Sequence, residues 1–381
     1  MTLEARLGAP AIKQRSVWLD ERGDLYLTVY NSKETQLFRV DSKSLSRASR
    51  KWRLIINEKL ERMRATGFIR AHTTFDLFAE GDPGYHYLLF RIMHYNFGEL
   101  PDTLTETELF ELLTITDEYN IWPSLLRPWI AAWIEPHQAW PGPGPYDYSS
   151  DFVRRLHNRL WVAWKLGEIE MFRKLVEILI KEVAPGKGTE LLISGKPLPK
   201  SSEIPGLADF LEKERKQRVS DLLGVFQEEL RHCQNGERRF CTLIGCSDLE
   251  RSMCDFIVMG SIIRDYHKHV LDPAGHRGKE KVQSVNATYD RLKSIEIHNY
   301  SIIPGDGIAA TSAPGLTHNG CNPTPWIHDK LDAIMFRSTW SLDAGLQKSL
   351  EYVSQLTGLG RPRVKGTKRE LTDDDETAKP A

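Results

Sequence analysis

Residues 23–40 read GDLYLTVYNSKETQLFRV, two runs of alternating character around a polar turn. Residues 104–134 read LTETELFELLTITDEYNIWPSLLRPWIAAWI, two helical stretches in tandem. In the first, Leu25, Leu27 and Val29 alternate with Tyr26, Thr28 and Tyr30, which sets one apolar row on one face of a strand. Asn31–Thr35 is the turn, and Leu37, Phe38 and Val40 return as the second strand. A hairpin alone is marginal in water, so it must lean on helices. In the second, Thr105 followed three residues later by Glu108 is a capping box. Leu109, Leu112, Leu113, Thr116 and Tyr119 then form one stripe, and Leu125, Leu126, Trp129, Ile130 and Trp133 form another after Pro123.

Between these stretches, Asp41 or Ser42 is placed to cap a helix whose inward residues are Leu45, Ala48 and Trp52. Residues 57–74 are charged and poorly patterned and read as a surface excursion. Phe75–Phe78 is a short strand. Pro83 opens a helix carrying Tyr87, Phe90, Ile92 and Met93, which ends near Asn96–Gly98.

The segment FRVDSKSLSRASRKWR, residues 38–53, resembles the F-x-V-x-x-x-x-L-x-x-x-S-x-x-F-R stretch of BTB/POZ domains. Residues 89–134, LFRIMHYNFGELPDTLTETELFELLTITDEYNIWPSLLRPWIAAWI, are similar to the ILLRIIHxxFxxVP and LSxxELYxLxxLxDKYxCxxLLRPW runs of BTB proteins typical of filamentous fungi. The likeness covers about 110 residues in order. It departs at Arg50–Lys51, where the family often has Ser-Pro, at Asp41, where animal members usually have His, and over residues 57–74. The resemblance implies an α+β fold, with a small sheet and helices at the N-terminus, followed by an all-α C-terminal region. It also implies a molecule without chemistry of its own. BTB domains self-associate or bind other proteins, and some members are adaptors for cullin-based ubiquitin ligases or transcription regulators. The interaction surface is then expected on the helices that carry Leu45, Arg47, Lys51, Trp52, Tyr85, Phe90 and Met93. Arg47, Arg50, Lys51 and Arg53 form a basic cluster there, read either as a solvated face or as a contact for an acidic partner.

The rest of the chain is read as a tail over 1–20, a BTB/POZ-like domain over 21–137, a Pro/Gly linker over 138–150, a helical domain over 151–360 and a disordered charged tail over 361–381. The helical domain includes a long loop at about 299–325, rich in Gly, Pro, Ser and Thr. Its apolar stripes are Leu211, Val219, Leu222, Phe226, Leu230 and Cys233, and then Leu249, Met253, Phe256, Ile257, Ile263 and Tyr266. Later helices follow over 326–337 and 342–356, with Gly358 as a C-cap.

Composition narrows the function classes. The 381 residues are 40% hydrophobic and 27% charged, the profile of an ordinary globular chain. Lys plus Arg is 51 and Asp plus Glu is 52, so no excess of either sign draws the chain to nucleic acid or to an anionic membrane. The five cysteines are an odd count and none precedes Cys233, which fits a reducing, intracellular compartment, nucleus or cytoplasm, better than a disulfide framework. The N-terminus lacks the apolar core of a signal peptide, and no run approaches the roughly 18 apolar residues of a membrane helix.

Candidate chemistry is sparse. Cys233, Cys241, Cys246 and Cys254 follow C-x7-C-x4-C-x7-C, whereas zinc motifs present two thiolates from one tight turn as in C-x2-C, so packing in the core is the expectation. His318, Cys321 and His328 follow H-x2-C-x6-H, three ligands where a closed site needs four unless a distant cysteine joins them. His267 and His269 lie two apart and face different ways. No G-x-S-x-G elbow, phosphate loop or dinucleotide fingerprint is present. No catalytic, cofactor-binding or metal-ligating residue is therefore assigned. The leading expectation is a protein–protein interaction module, and the alternative is an enzyme or zinc-binding protein with its site in the helical half.

Overall fold

The computed structural model describes residues 16–67, 74–98, 100–138, 149–186, 191–193, 195–197, 204–269, 284–298, 318–337 and 340–360. Most of the expected linker, most of the long loop and the charged C-terminal tail lie outside the described residues.

The fold is mixed α/β, with a small sheet near the N-terminus and helices after it. Strands β2 (Leu25–Tyr30) and β3 (Thr35–Val40) form the expected hairpin, in antiparallel register from Leu25 opposite Val40 to Tyr30 opposite Thr35. Asn31 closes the turn, its side-chain oxygen accepting from the amides of Lys33 and Glu34 at 2.8 Å each. β4 (Phe75–Glu80) pairs parallel to β2. β1 (Ser16–Trp18) pairs parallel to β3, inside the stretch expected as tail, and the order is β1-β3-β2-β4.

Helix α1 (Ser42–Ala48) is capped by the Asp41 carboxylate. Ser49 leaves the helical region and caps α2 (Arg50–Ala65), its hydroxyl oxygen accepting from the amide of Trp52 at 3.0 Å. Much of the expected surface excursion is thus the second half of α2. Its Arg, Lys, Glu and Leu are good helix formers, and with few apolar residues they leave no stripe to read. α3 (Pro83–Met93), α4 (Glu106–Glu118) and α5 (Arg127–Ile134) complete the N-terminal module, and the Thr105–Glu108 capping box opens α4.

α6 (Ser150–Leu166) packs on α4 and on α7 (Ile169–Glu182). Arg159 of α6 reaches Glu106 at 2.7 Å and the carbonyl of His137 at 3.1 Å. β5 (Val183–Pro185), β6 (Leu191–Ile193) and β7 (Lys196–Pro197) form a small antiparallel sheet, so the C-terminal half is not all-α. Strands of two or three residues are too short to show alternation in sequence.

One apolar core runs from Leu25 through Trp133 and on through α6, α7 and the start of α8 (Leu207–Gln234), and α12 (Ala344–Thr357) closes it with Leu346 and Leu350. A second core gathers Leu222, Val225 and Phe226 of α8 with residues of α9 (Asp248–His269), α10 (Val285–Lys293) and α11 (Thr324–Met335). The division between cores falls along α8, whose first turns belong to one and whose middle belongs to the other. On α9 the buried face is Cys254, Val258, Ile262 and Tyr266; of the expected stripe Tyr266 is buried and Ile263 half-buried, while Leu249, Met253, Phe256 and Ile257 are exposed. No helix among the described residues is long and apolar enough to cross a membrane.

Candidate functional site on the N-terminal module

The residues first placed on an interaction surface divide in two. Leu45, Trp52, Phe90 and Met93 lie in the first core, none more than 3% exposed, so Leu45, Trp52 and Phe90 cannot meet a partner without opening the fold and Met93 reaches only the floor of a groove. Trp52 stacks on Tyr119 with ring centroids 4.6 Å apart, and the edge of Phe90 meets Phe38 at 5.4 Å. Arg47 is exposed, and Lys51 and Tyr85 are half-buried. Burial follows from helix pairing: the 3.6 period that makes a stripe visible points that stripe at the sheet.

The exposed apolar surface is carried by other residues. Leu54, Tyr95 and Trp122 are 62%, 72% and 52% exposed. A groove of about 610 Å³ is lined by Arg50, Lys51, Leu54, Asn120, Trp122 and Trp164. A smaller one of about 310 Å³ is lined by Ser44, Arg47, Met93, Tyr95, Trp122 and Leu125. Trp122 belongs to both and forms the ridge between them. Its amide donates to the carbonyl of Ala48 at 3.2 Å beside a bridge between Ser49 and Ile121, so α1, α2 and the end of α4 hold it in place. Ser49 ties the same junction, its hydroxyl donating to the carbonyl of Tyr119.

Cations rim this ridge. Lys51 pairs with Glu118 at 3.4 Å and lies over the Tyr119 ring at 4.6 Å, and Lys165 pairs with Asp117. Arg47 and Arg50 make no ion pair among the described residues.

The polar groups beneath the ridge are engaged in structure. The Nδ1–H of His94 donates to the Phe90 carbonyl at 2.7 Å, and Nε2 accepts from the Asp41 amide at 2.9 Å, so neither nitrogen is open as a base. Burial acts to raise the Asp41 carboxyl, but hydrogen bonds from the Ser44 hydroxyl and amide outweigh it and hold the group below its ordinary value. Burial pushes the Tyr119 phenol far up, away from any ionised role. The arrangement offers shape, apolar area and positive charge.

Compared with protein-family models, with curated proteins and with solved structures, the chain matches none. Sequence reasoning passed over Tyr95 and Trp122 because both lie outside a periodic stripe. The one local signal was at Trp122, which directly precedes a proline; the helix expected to run to Asn96–Gly98 ends at Met93, which leaves Tyr95 just past it.

Proposed function

We propose that this chain is a non-enzymatic protein–protein interaction protein of BTB/POZ type. Its N-terminal module docks a partner segment that carries apolar anchors flanked by acidic side chains. The observation that carries this reading is the contiguous ridge of Leu54, Trp122 and Tyr95 with Arg47 and Arg50 at its edge. Three large apolar side chains left in water beside guanidinium groups that make no ion pair among the described residues form a surface of the kind that aromatic and arginine hot spots occupy. Self-association, adaptor function for a cullin-based ligase and transcription regulation are the roles the family resemblance brings to that surface.

The test compares the intact protein with a Trp122→Ala/Tyr95→Ala variant of matched thermal stability. A partner held by the first and lost by the second, with binding that weakens as salt rises, supports the reading. Dimerisation that the variant abolishes, measured by light scattering, assigns the surface to a second copy. Partners and oligomeric state unchanged by the variant remove the ridge from function.

A further inference from the structure

The second core ends in a feature of another kind. Cys241, Cys254, His318 and Cys321 each offer one donor atom, and the four atoms lie within 4.8 Å of one another. All four side chains are buried, between 0% and 7% exposed. They come from three places: Cys241 from the loop after α8, Cys254 from α9, and His318 with Cys321 from a short 3-10 turn before α11.

Local structure explains why these four meet. In a 3-10 helix residues i and i+3 eclipse, so the H-x2-C spacing presents the His318 imidazole and the Cys321 thiol on one side. A capping box between Ser247 and Glu250 starts α9, and Cys254 lies on the buried face of that helix. The Cys241 amide donates to the Asp255 carboxylate at 2.8 Å, which holds the loop against α9. Asn322 secures the turn, donating to the Ile297 carbonyl at 3.3 Å and accepting from the Thr324 amide at 2.9 Å.

The distances decide the chemistry. Cys241 Sγ lies 3.9 Å from Cys321 Sγ, and His318 Nδ1 lies 3.5 Å from Cys241 Sγ and 3.8 Å from Cys321 Sγ. Zinc–sulfur bonds of about 2.3 Å and zinc–nitrogen bonds of about 2.0–2.1 Å give tetrahedral edges of about 3.8 Å between sulfurs and about 3.6 Å between sulfur and nitrogen. The three edges among Cys241, His318 and Cys321 match one face of that tetrahedron, and the Cys254 thiol completes the set within 4.8 Å of each of them. A disulfide needs sulfurs at about 2.05 Å, and all five cysteines are free thiols. We propose that Cys241, Cys254, His318 and Cys321 are the four ligands of a zinc ion. Four protein donors leave no open position for water or substrate, so the site is structural: it staples the α8–α9 loop and the turn before α11 onto α9. Soft thiolate donors with one imidazole select zinc over magnesium or calcium, and the narrow spacing admits one ion and not a cluster.

Neighbouring candidates fall outside the set. Cys246 approaches Cys241 at 3.9 Å, but its thiol donates to the Leu243 carbonyl at 3.2 Å. Cys233 packs against the second core. His328 is half-buried on α11, where burial and then the Lys293 charge lower its pKa. The distant cysteine that H-x2-C-x6-H needed is present, in fact twice, while the second histidine is not a member.

The experiment uses the full chain purified without added chelator. Elemental analysis is expected to find one zinc per chain. Exchange into cobalt(II) is expected to give the intense visible bands of a tetrahedral ion with a thiolate charge-transfer band in the near ultraviolet. Cys321→Ser and Cys254→Ser lose the metal, whereas Cys233→Ser and Cys246→Ser keep the full equivalent. His318→Cys preserves the ligand count and keeps zinc, which separates a lost ligand from a misfolded chain. A folded wild-type chain that binds neither zinc nor cobalt overturns the proposal and leaves a cluster of packed thiols. Stoichiometric zinc in Cys321→Ser, or its loss in Cys246→Ser, overturns the ligand set.

Discussion

The two cores of this molecule are held by different means. The first joins a hairpin to helices through large side chains: Phe38, Trp52, Phe90, Phe172 and Trp133 are all within 1% of complete burial. The second is smaller, takes Val258, Ile262 and Tyr266 from α9, and has a separate cysteine cluster next to it around Cys254 on the same helix. Where apolar burial is ample, the chain keeps Trp122 and Tyr95 free for its surface. Where burial is thin, groups with coordination chemistry occupy the interior.

The largest expected effect tests that contrast directly. Structural zinc in small domains contributes about 10–16 kcal/mol of apparent binding free energy at neutral pH, more than any single side chain. Chelation with a thiol-reactive release agent is expected to abolish amide hydrogen-exchange protection in α9 and α11. Protection in β2, β3 and α4 is expected to persist. Equal loss in both cores would mean that they unfold as one unit.

The next contrast lies within the first core, between two tryptophans of the same module. Trp52 is 1% exposed and stacked on Tyr119, so Trp52→Ala is expected to cost about 3–5 kcal/mol in denaturant unfolding. Trp122 is 52% exposed, and Trp122→Ala is expected to stay within about 0.5 kcal/mol while removing the partner. A large loss of stability at Trp122 would make the ridge part of the fold.

The same contrast governs what the sequence revealed. The hairpin, the capping box at Thr105, the α3 start at Pro83 and the Gly358 cap were legible because each is a local pattern with a local cause. The buried face of α9 was not. Apolar residues occupy two faces of that helix, and Leu249, Met253 and Phe256 of the expected stripe lie on the exposed face while Tyr266 lies on the buried one. Periodicity marks a face, but what covers it depends on α8, α10 and α11. The metal ligands were hidden for a related reason. Only His318 and Cys321 are neighbours in sequence, and the other two arrive from separate elements, so no spacing rule joins them. Leu45, Trp52, Phe90 and Met93 were expected at the surface but lie in the core, because helical stripes report burial, whereas the exposed Tyr95 and Trp122 sit where the stripe stops.

A third expectation concerns acid. His86 is 1% exposed and packs against the Phe90 and Tyr119 rings. Its Nδ1–H donates to the Asp82 carbonyl at 2.9 Å, while Nε2 meets no hydrogen-bond partner among the described residues. Burial therefore lowers its pKa below the ordinary 6.5, and it lowers that of His157 in the same core. The unfolded chain binds the extra proton more readily, so this contribution to stability is complete above pH 6.5 and is lost as pH falls from there toward the folded value. Hydrogen-exchange protection of α3 and α4 is expected to weaken from pH 7.5 to 5.5, and His86→Gln is expected to flatten that slope. An unchanged slope in the variant would move the proton uptake elsewhere. Reading these helices alone keeps acid effects at the cysteine cluster out of the comparison.

The smallest effect is the sharpest in sign. Four of the described helices end in the same hydrogen-bond pattern, with a residue of positive φ at or just past the cap; after α8 it is Gly236, with the amide of Glu237 bonded to the His232 carbonyl at 2.9 Å. After α6 it is Gly167, with the amide of Glu168 bonded to the Ala163 carbonyl at 2.9 Å. After α4 it is Asn120, with the amide of Ile121 bonded to the Thr116 carbonyl at 2.9 Å. After α3 it is Tyr95 at φ 59°, with the amide of Asn96 bonded to the Arg91 carbonyl at 2.9 Å. Glycine enters this region freely and asparagine tolerates it, but a tyrosine there costs about 1–2 kcal/mol. Its ring recovers little of that, since the side chain is 72% exposed. Part of the gain from glycine is offset by the entropy of the unfolded chain, so Tyr95→Gly is expected to raise stability by at most about 1 kcal/mol. The same substitution is expected to weaken partner binding, because it removes one wall of the smaller groove. Stability and binding moving in opposite directions is what a residue kept for its surface must show. If both fall together, the ring is holding the α3 terminus in place, and the docking surface loses its most exposed member.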